Sequence, residues 1–191
     1  KDTERLKNYI DSILEVSRIE QRRPVFNFAV LDGAETVKSI IEDFHYKNLR
    51  VISDNSGNIV ADRDSLVIVV RNLLDNAFKY SSPESQVDIH MYCKKSAFII
   101  DVKDRGIGIP LSDQKNIFNK FYRLRDPNKP RVTGSGLGLY MVKEIVKHHK
   151  GRVVVLSGGL GSGATFRVSF PLYSGLNKKL LKPLLNKHKS A

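Results

Sequence analysis

The chain of 191 residues has no tryptophan and a single cysteine, Cys93. One cysteine excludes an internal disulfide and leads to the expectation of a reducing compartment. Long apolar runs are also missing, since the longest, such as Leu66 to Val70, are far too short to cross a bilayer. No signal peptide is visible at Lys1-Asp2-Thr3, and without an initiator methionine the sequence is expected to be a piece of a longer protein. No glycine is followed by Lys-Ser or Lys-Thr, which excludes a P-loop. Carboxylates run out along the chain, Glu144 being the last. Residues 1–22 are neutral and 23–110 carry −1, whereas 111–150 carry +6 and 151–191 carry +7.

The composition, 41% hydrophobic and 27% charged, fits one globular domain with extensions and a sizeable core. A basic half can serve nucleic acid, an acidic membrane surface or a polyphosphate. For residues 175–191 a solvated, frayed basic tail is an equally good reading.

Periodicity gives the organisation. Residues 3–20 read as a helix capped by Thr3, with Leu6, Ile10, Ile13 and Ser17 in a narrow stripe suited to a bundle or coiled coil. Pro24 closes it. Residues 33–46 read as an amphipathic helix, and Val51 to Val60 as a hairpin turning at Asn55-Ser56-Gly57-Asn58. Asp64 is placed to cap a helix running to about Tyr80. Val87 to Tyr92 alternates as a half-buried strand, and Ala97 to Val102 is a more buried one. Residues 105–136 form a long loop with one short helix near Asp113 to Phe118, and such loops are usually functional. A helix after Gly136, a strand at Val153 to Leu156, a glycine-rich turn at 158–163 and a strand ending at Phe170 complete the chain. The order predicts one mixed sheet with helices on one face.

Four stretches carry chemistry. In RNLLDNAFK (71–79), Asn72, Asn76 and Lys79 share one helix face opposite the apolar one. Asparagine is a mediocre helix former, an amide oxygen suits Mg²⁺, and a lysine one turn on can meet phosphate, although an ordinary polar face explains this helix alone as well. In DVKDRGIGIP (101–110), a strand delivers Asp104, and Gly106 and Gly108 let backbone approach closely; the plain alternative is an Asp-led turn. IFNKFYR (117–123) places Phe118 and Phe121 three apart, which also fits a small hydrophobic cluster pinning a loop. TGSGLGLYMVKEIVKHH (133–149) has Gly134, Gly136 and Gly138 at spacing two, which is not the dinucleotide fingerprint, and alone it is as much a turn as a phosphate loop.

Taken together and in this order, the four stretches resemble the N box, first glycine box, F box and second glycine box of bacterial sensor histidine kinases. GSGATFRVSFP resembles the closing strand of that domain, and residues 3–20, ending in SRIE, the second helix of the dimerisation hairpin. The resemblance implies an α+β, two-layer α/β sandwich of the Bergerat type: a mixed sheet with helices on one face, preceded by one bundle helix. It implies a partial hairpin helix at 1–22, a catalytic ATP-binding domain at 24–174 and a basic tail at 175–191. Asn76 would coordinate Mg²⁺ on the ATP phosphates, with Asn72 beside it and Lys79 and Arg123 reaching phosphate. Asp104 would hold the adenine amino group between Gly106 and Gly108. Gly134, Gly136 and Gly138 would hinge the ATP lid, Gly136 and Leu137 would open a helix there, and Phe118 and Phe121 would dock the lid. Tyr80, Ile109 and Ser135 complete the implied nucleotide-contacting set.

The implied reaction moves the ATP γ-phosphate to a histidine on a dimerisation helix, then to an Asp on a response-regulator receiver domain. The full-length protein would be a homodimer and a membrane-anchored sensor with this part cytoplasmic, and nucleic acid would not be a partner. Where related ATPases place a water-activating Glu this chain has Asn72, which favours kinase over hydrolase. Two departures stand out. Arg105 replaces the usual Asn after the adenine-binding Asp and would set a cation near the nucleotide, leaving a non-catalytic ATP-binding module as the alternative. None of His45, His90, His148, His149 and His188 lies in a phosphoacceptor context, and all five read as structural or surface groups.

Overall fold

A computed structural model describes residues 2–21, 25–124 and 134–175. The chain runs α1 (Asp2–Ile19), β1 (Phe28–Asp32), α2 (Gly33–Glu42), β2 (Leu49–Ser53), β3 (Asn58–Asp62), α3 (Arg63–Tyr80), β4 (Val87–Lys94), β5 (Ala97–Lys103), α4 (Gly138–His148), β6 (Arg152–Leu156) and β7 (Thr165–Pro171). Sheet order is β2-β4-β5-β7-β6. The β2–β4 pair is parallel and the others are antiparallel, so the sheet is mixed. β1 and β3 form a separate antiparallel pair, so the single expected sheet is two.

Alternation along the strands sorts side chains onto two faces. Ile89, Met91, Phe98, Ile100, Val102, Phe166, Val168 and Phe170 are buried in one core with Val37 and Ile40 of α2, Leu66, Leu73 and Leu74 of α3, and Val142 and Ile145 of α4. The opposite face carries paired charges: Arg167 grips both carboxylate oxygens of Asp101 at 2.7 Å, and Arg50 donates to Asp88 at 2.8 Å. Helices on one face and charge pairs on the other make the two-layer α+β fold.

The expected hairpin at 51–60 does not form. β2 lies beside β4 and β3 beside β1, and the turn carries the chain between sheets. Its residues are taken up by tertiary contacts: Ser56 donates to Asp32 at 2.6 Å and accepts from the Ala34 N–H at 3.0 Å. The cap of α3 is Asp62 rather than Asp64, because Asp62 keeps extended backbone at the end of β3 and its Oδ1 accepts from the Ser65 N–H at 2.7 Å. α2 ends at Glu42, short of residue 46, and Tyr46 turns back to stack on Phe78 at 5.0 Å. Residues 113–118 make turns rather than a helix, too few to propagate one; the Asn116 and Ile117 N–H groups both donate to the Asp113 carbonyl.

α1 packs its C-terminal end against the domain, burying Val16 and Ile19, while Leu6, Ile10 and Ile13 of the expected stripe remain exposed. Glu20 then pairs with Lys120 at 2.5 Å and accepts from the Tyr140 hydroxyl. His149 is a structural group, as its sequence context suggests. It is buried among Phe26, Phe28 and Phe170. Its Nε2 faces the Asp62 N–H at 3.0 Å and must accept, so Nδ1 carries the proton toward the Ile145 carbonyl at 2.8 Å. Burial, first of all, holds its pKa down to about 4.

Candidate nucleotide site

A cavity of about 310 Å³ opens between α3, the loop after β5 and the start of α4. One end is built on Asp104, which follows β5 and is only 5% exposed. The N–H groups of Gly106 and Ala164 both donate to its Oδ1, at 2.9 and 3.1 Å. Oδ2 is thereby left without a donor among the described residues, at the wall of the cavity. Burial pushes this carboxyl above the usual range, with the two N–H groups opposing. Ile107, Ile109, Ile117, Ala164 and Phe166 surround it with apolar surface. An apolar slot with one buried acceptor takes a flat ring that presents an N–H.

Two close approaches fix the slot. A side chain on Gly106 would strike the Tyr80 carbonyl, which accepts from the Ile107 N–H at 3.2 Å. Gly108, at φ +71°, abuts the Gly159 carbonyl, so the glycine turn after β6 backs the first glycine box rather than standing apart from it.

The other end is cationic and rich in donors. Asn72, Asp75, Asn76 and Lys79 line it from one face of α3. Asn72 donates to the Ile68 carbonyl at 2.8 Å, whereas the Asn76 amide meets no intramolecular partner among the described residues. Burial, and then the neighbouring Arg123 charge, depress the Lys79 pKa, so two cations stand close together at this end. Gly134, Ser135, Gly136, Gly138 and Leu139 form the facing wall. α4 begins there at Gly138, with Leu137 in the cap position and no side-chain cap among the described residues, so the positive end of the helix lies beside the cavity. That is the arrangement that binds phosphate.

Most positions singled out in the sequence meet at this cavity: Asn72, Asn76, Lys79, Tyr80, Asp104, Gly108, Ile109, Arg123, Gly134, Ser135, Gly136 and Gly138. Gly106 acts from behind, through Asp104, and Leu137 is buried beneath the α4 start. Phe118 is buried in the core, edge-on to Phe166 at 6.5 Å. Phe121 is 57% exposed, and it meets the glycine segment through backbone, donating to the Gly136 carbonyl at 3.0 Å from a left-handed φ of +61°. Gly136 answers at φ +72°, where a Cβ would stand 2.9 Å from the Phe121 Cα. Arg105 does not bring a cation to the cavity, because its guanidinium is held by Asp88 at 2.9 Å and by the Gln86 carbonyl. The middle of the expected lid, residues 125–133, and all but the first residue of the basic tail lie outside the described residues.

The sequence reading missed Asp75 and the apolar floor. Asp75 sits three residues from Asn72, hence on the same face, and its carboxylate accepts from the Tyr46 hydroxyl at 2.7 Å. No group of three or more acidic, His or Cys side chains gathers as a metal cage among the described residues. Mg²⁺, which keeps waters and takes substrate phosphates with one or two protein oxygens, fits the unpartnered Asn76 amide better than it would fit such a cage.

Residues 61–174 match the family described as histidine kinase-, DNA gyrase B- and HSP90-like ATPases, and the chain belongs to that family. Within it, the chain is similar to the catalytic region of bacterial sensor histidine kinases. It is 32% identical over 180 residues to the sensor protein RprX of Bacteroides fragilis, covering 90% of this chain and 34% of RprX. It is 30% identical over 178 residues to the sensor histidine kinase WalK of Bacillus subtilis, covering 88% of this chain and 29% of WalK. The chain thus spans about a third of the length of these relatives. The mycobacterial sensor histidine kinase MprB superposes with a TM-score of 0.66 at 25% identity, over 76% of this chain and 97% of that one. Full-length ShkA in complex with AMPPNP shares the fold, with a TM-score of 0.73 at 23% identity, over 87% of this chain and 36% of that one. No helix among the described residues is long and apolar enough to cross a membrane.

Proposed function

We propose that the cavity binds ATP and that the chain is the phosphotransferase region of a two-component sensor. The γ-phosphate would pass to a histidine on a dimerisation helix, for relay to a response-regulator Asp. The observation that carries this reading is the polarity of the cavity: a buried carboxylate with one free oxygen, Asp104, at one end, and Lys79, Arg123 and the uncapped start of α4 at the other. Adenine donates its amino proton to Oδ2, and the triphosphate lies against the cations and free N–H groups. Asn76 would hold Mg²⁺, which when bound neutralises charge on the phosphates.

The residues of this chain act by positioning and electrostatics. Lys79 and Arg123 offset negative charge where it develops, and burial of Lys79 strengthens that effect. Asn72 cannot take a proton. Water as a nucleophile needs a base, whereas a neutral imidazole already offers a lone pair, so this site suits histidine better than water. Residues 24–174 form the ATP-binding unit. α1 stands as the second helix of a dimerisation hairpin whose exposed Leu6, Ile10 and Ile13 face the rest of the bundle and the second protomer. Membrane anchoring of the whole sensor would reside in other parts of it. The tie of Arg105 to Asp88 supports the catalytic reading over the non-catalytic module.

The test is incubation with labelled ATP, Mg²⁺ and a separate polypeptide carrying a histidine-bearing dimerisation helix from a cognate sensor. Transfer of label as an acid-labile, base-stable phosphate is expected. ATP binding without any transfer would favour the non-catalytic module.

A further inference from the structure

Ser157 lies outside the cavity lining, yet its hydroxyl joins the two walls that flank Asp104. The Oγ accepts from the Ile109 N–H at 3.0 Å and donates to the Gly163 carbonyl at 2.7 Å. Ile109 forms one wall of the adenine slot. Gly163 precedes Ala164, which forms the other and whose N–H fixes Asp104 Oδ1. Gly163 is wedged at φ +66° against the Asp104 carbonyl, so a shift of its peptide is felt at the carboxylate.

Gln114 doubles this tie from the loop side. Its Nε2 donates to the Ile109 carbonyl at 3.1 Å and to the Ser157 carbonyl at 2.8 Å. The Ile109 peptide is therefore held at both its N–H and its C=O by two side chains that themselves stand outside the cavity. Nearby, the Ile107 N–H is held on the Tyr80 carbonyl and the Gly161 N–H on the Ile107 carbonyl. Neither reaches the wall at Ile109.

We infer that Ser157, braced by Gln114, is a positioning residue for base specificity: it sets the width of the slot around Asp104 and so the discrimination of a 6-amino purine from a 6-oxo purine. The inference rests on the reading of the cavity as an ATP site. Asp104 Oδ2 can only accept, so it rewards adenine and opposes a 6-oxo group, but only if the ring is held at hydrogen-bond distance. Loosening Ile109 against Ala164 lets the ring slide, which weakens that selection. The phosphate end, on α3 and α4, is untouched.

The test compares binding of ATP, inosine triphosphate and inorganic tripolyphosphate by calorimetry, with melting temperatures alongside. The unaltered chain should prefer ATP over inosine triphosphate. Ser157→Ala should narrow that preference about five- to tenfold while tripolyphosphate affinity holds, as befits loss of one or two neutral hydrogen bonds. Gln114→Ala, which leaves the Ser157 hydroxyl in place, should narrow it in the same direction and provides the reading if Ser157→Ala fails to fold. A folded Ser157→Ala or Gln114→Ala chain with unchanged preference overturns the inference, as does an equal loss for all three ligands. An unaltered chain that binds tripolyphosphate but neither nucleotide would overturn the ATP reading itself.

Discussion

A methyl group on Gly138 would overlap the amide oxygen of Asn72. The first residue of α4 and the N-terminal asparagine of the α3 polar face are thus packed without a gap, which couples the phosphate-facing helix start to the amide that Ile68 fixes. Gly138→Ala should displace Asn72 and weaken ATP binding about tenfold, within the roughly 1–3 kcal/mol of overpacking. Added to Asn72→Ala, the same change should cost little more, because the clash is gone. Titration of the two single variants and the double variant measures this coupling.

ATP hydrolysis by the chain alone should be slow, and Asn72→Ala should change it by less than about threefold, since an amide supplies no base for water. Steady-state phosphate release reads this out. Rapid release that collapses in Asn72→Ala would assign Asn72 a hydrolytic role.

Acid should destabilise the fold through His149. Its folded pKa, about 4, lies below its ordinary 6.5, so the unfolded chain binds the proton more tightly. The neutral ring therefore contributes full stability above about pH 6.5, and this is lost as pH falls toward about 4. The shift corresponds to about 3 kcal/mol. Urea unfolding across that window should show the slope, and His149→Gln should flatten it at some cost in stability at pH 7.

The site was more legible than the strand pairing. Asn72, Asn76 and Lys79 lie on one helix period, and Asp104 with its glycines lies on one strand end, so local spacing alone groups them. The hairpin at 51–60 failed because each strand has a distant partner: β2 pairs with residues 38 positions on, and β3 with β1, whose FAVLD carries no alternating pattern. Asp62 outranks Asp64 as a cap because the Asn27 N–H and the His149 ring also converge on it, contacts that no window of sequence contains. Phe121 meets Gly136 through its backbone N–H, a contact that residue type alone does not signal. Ser157 and Gln114 act from 48 and five residues away from Ile109, which is why only the fold reveals them.

The central claim is that Asp104 holds the adenine amino group, and calorimetric titration of Asp104→Asn with ATP and Mg²⁺ tests it most directly. The free Oδ2 and the loss of a charge-assisted hydrogen bond predict at least about a tenfold weaker affinity for ATP. Affinity for tripolyphosphate should be unchanged and the melting temperature near that of the unaltered chain. ATP bound equally well by both chains would contradict the account.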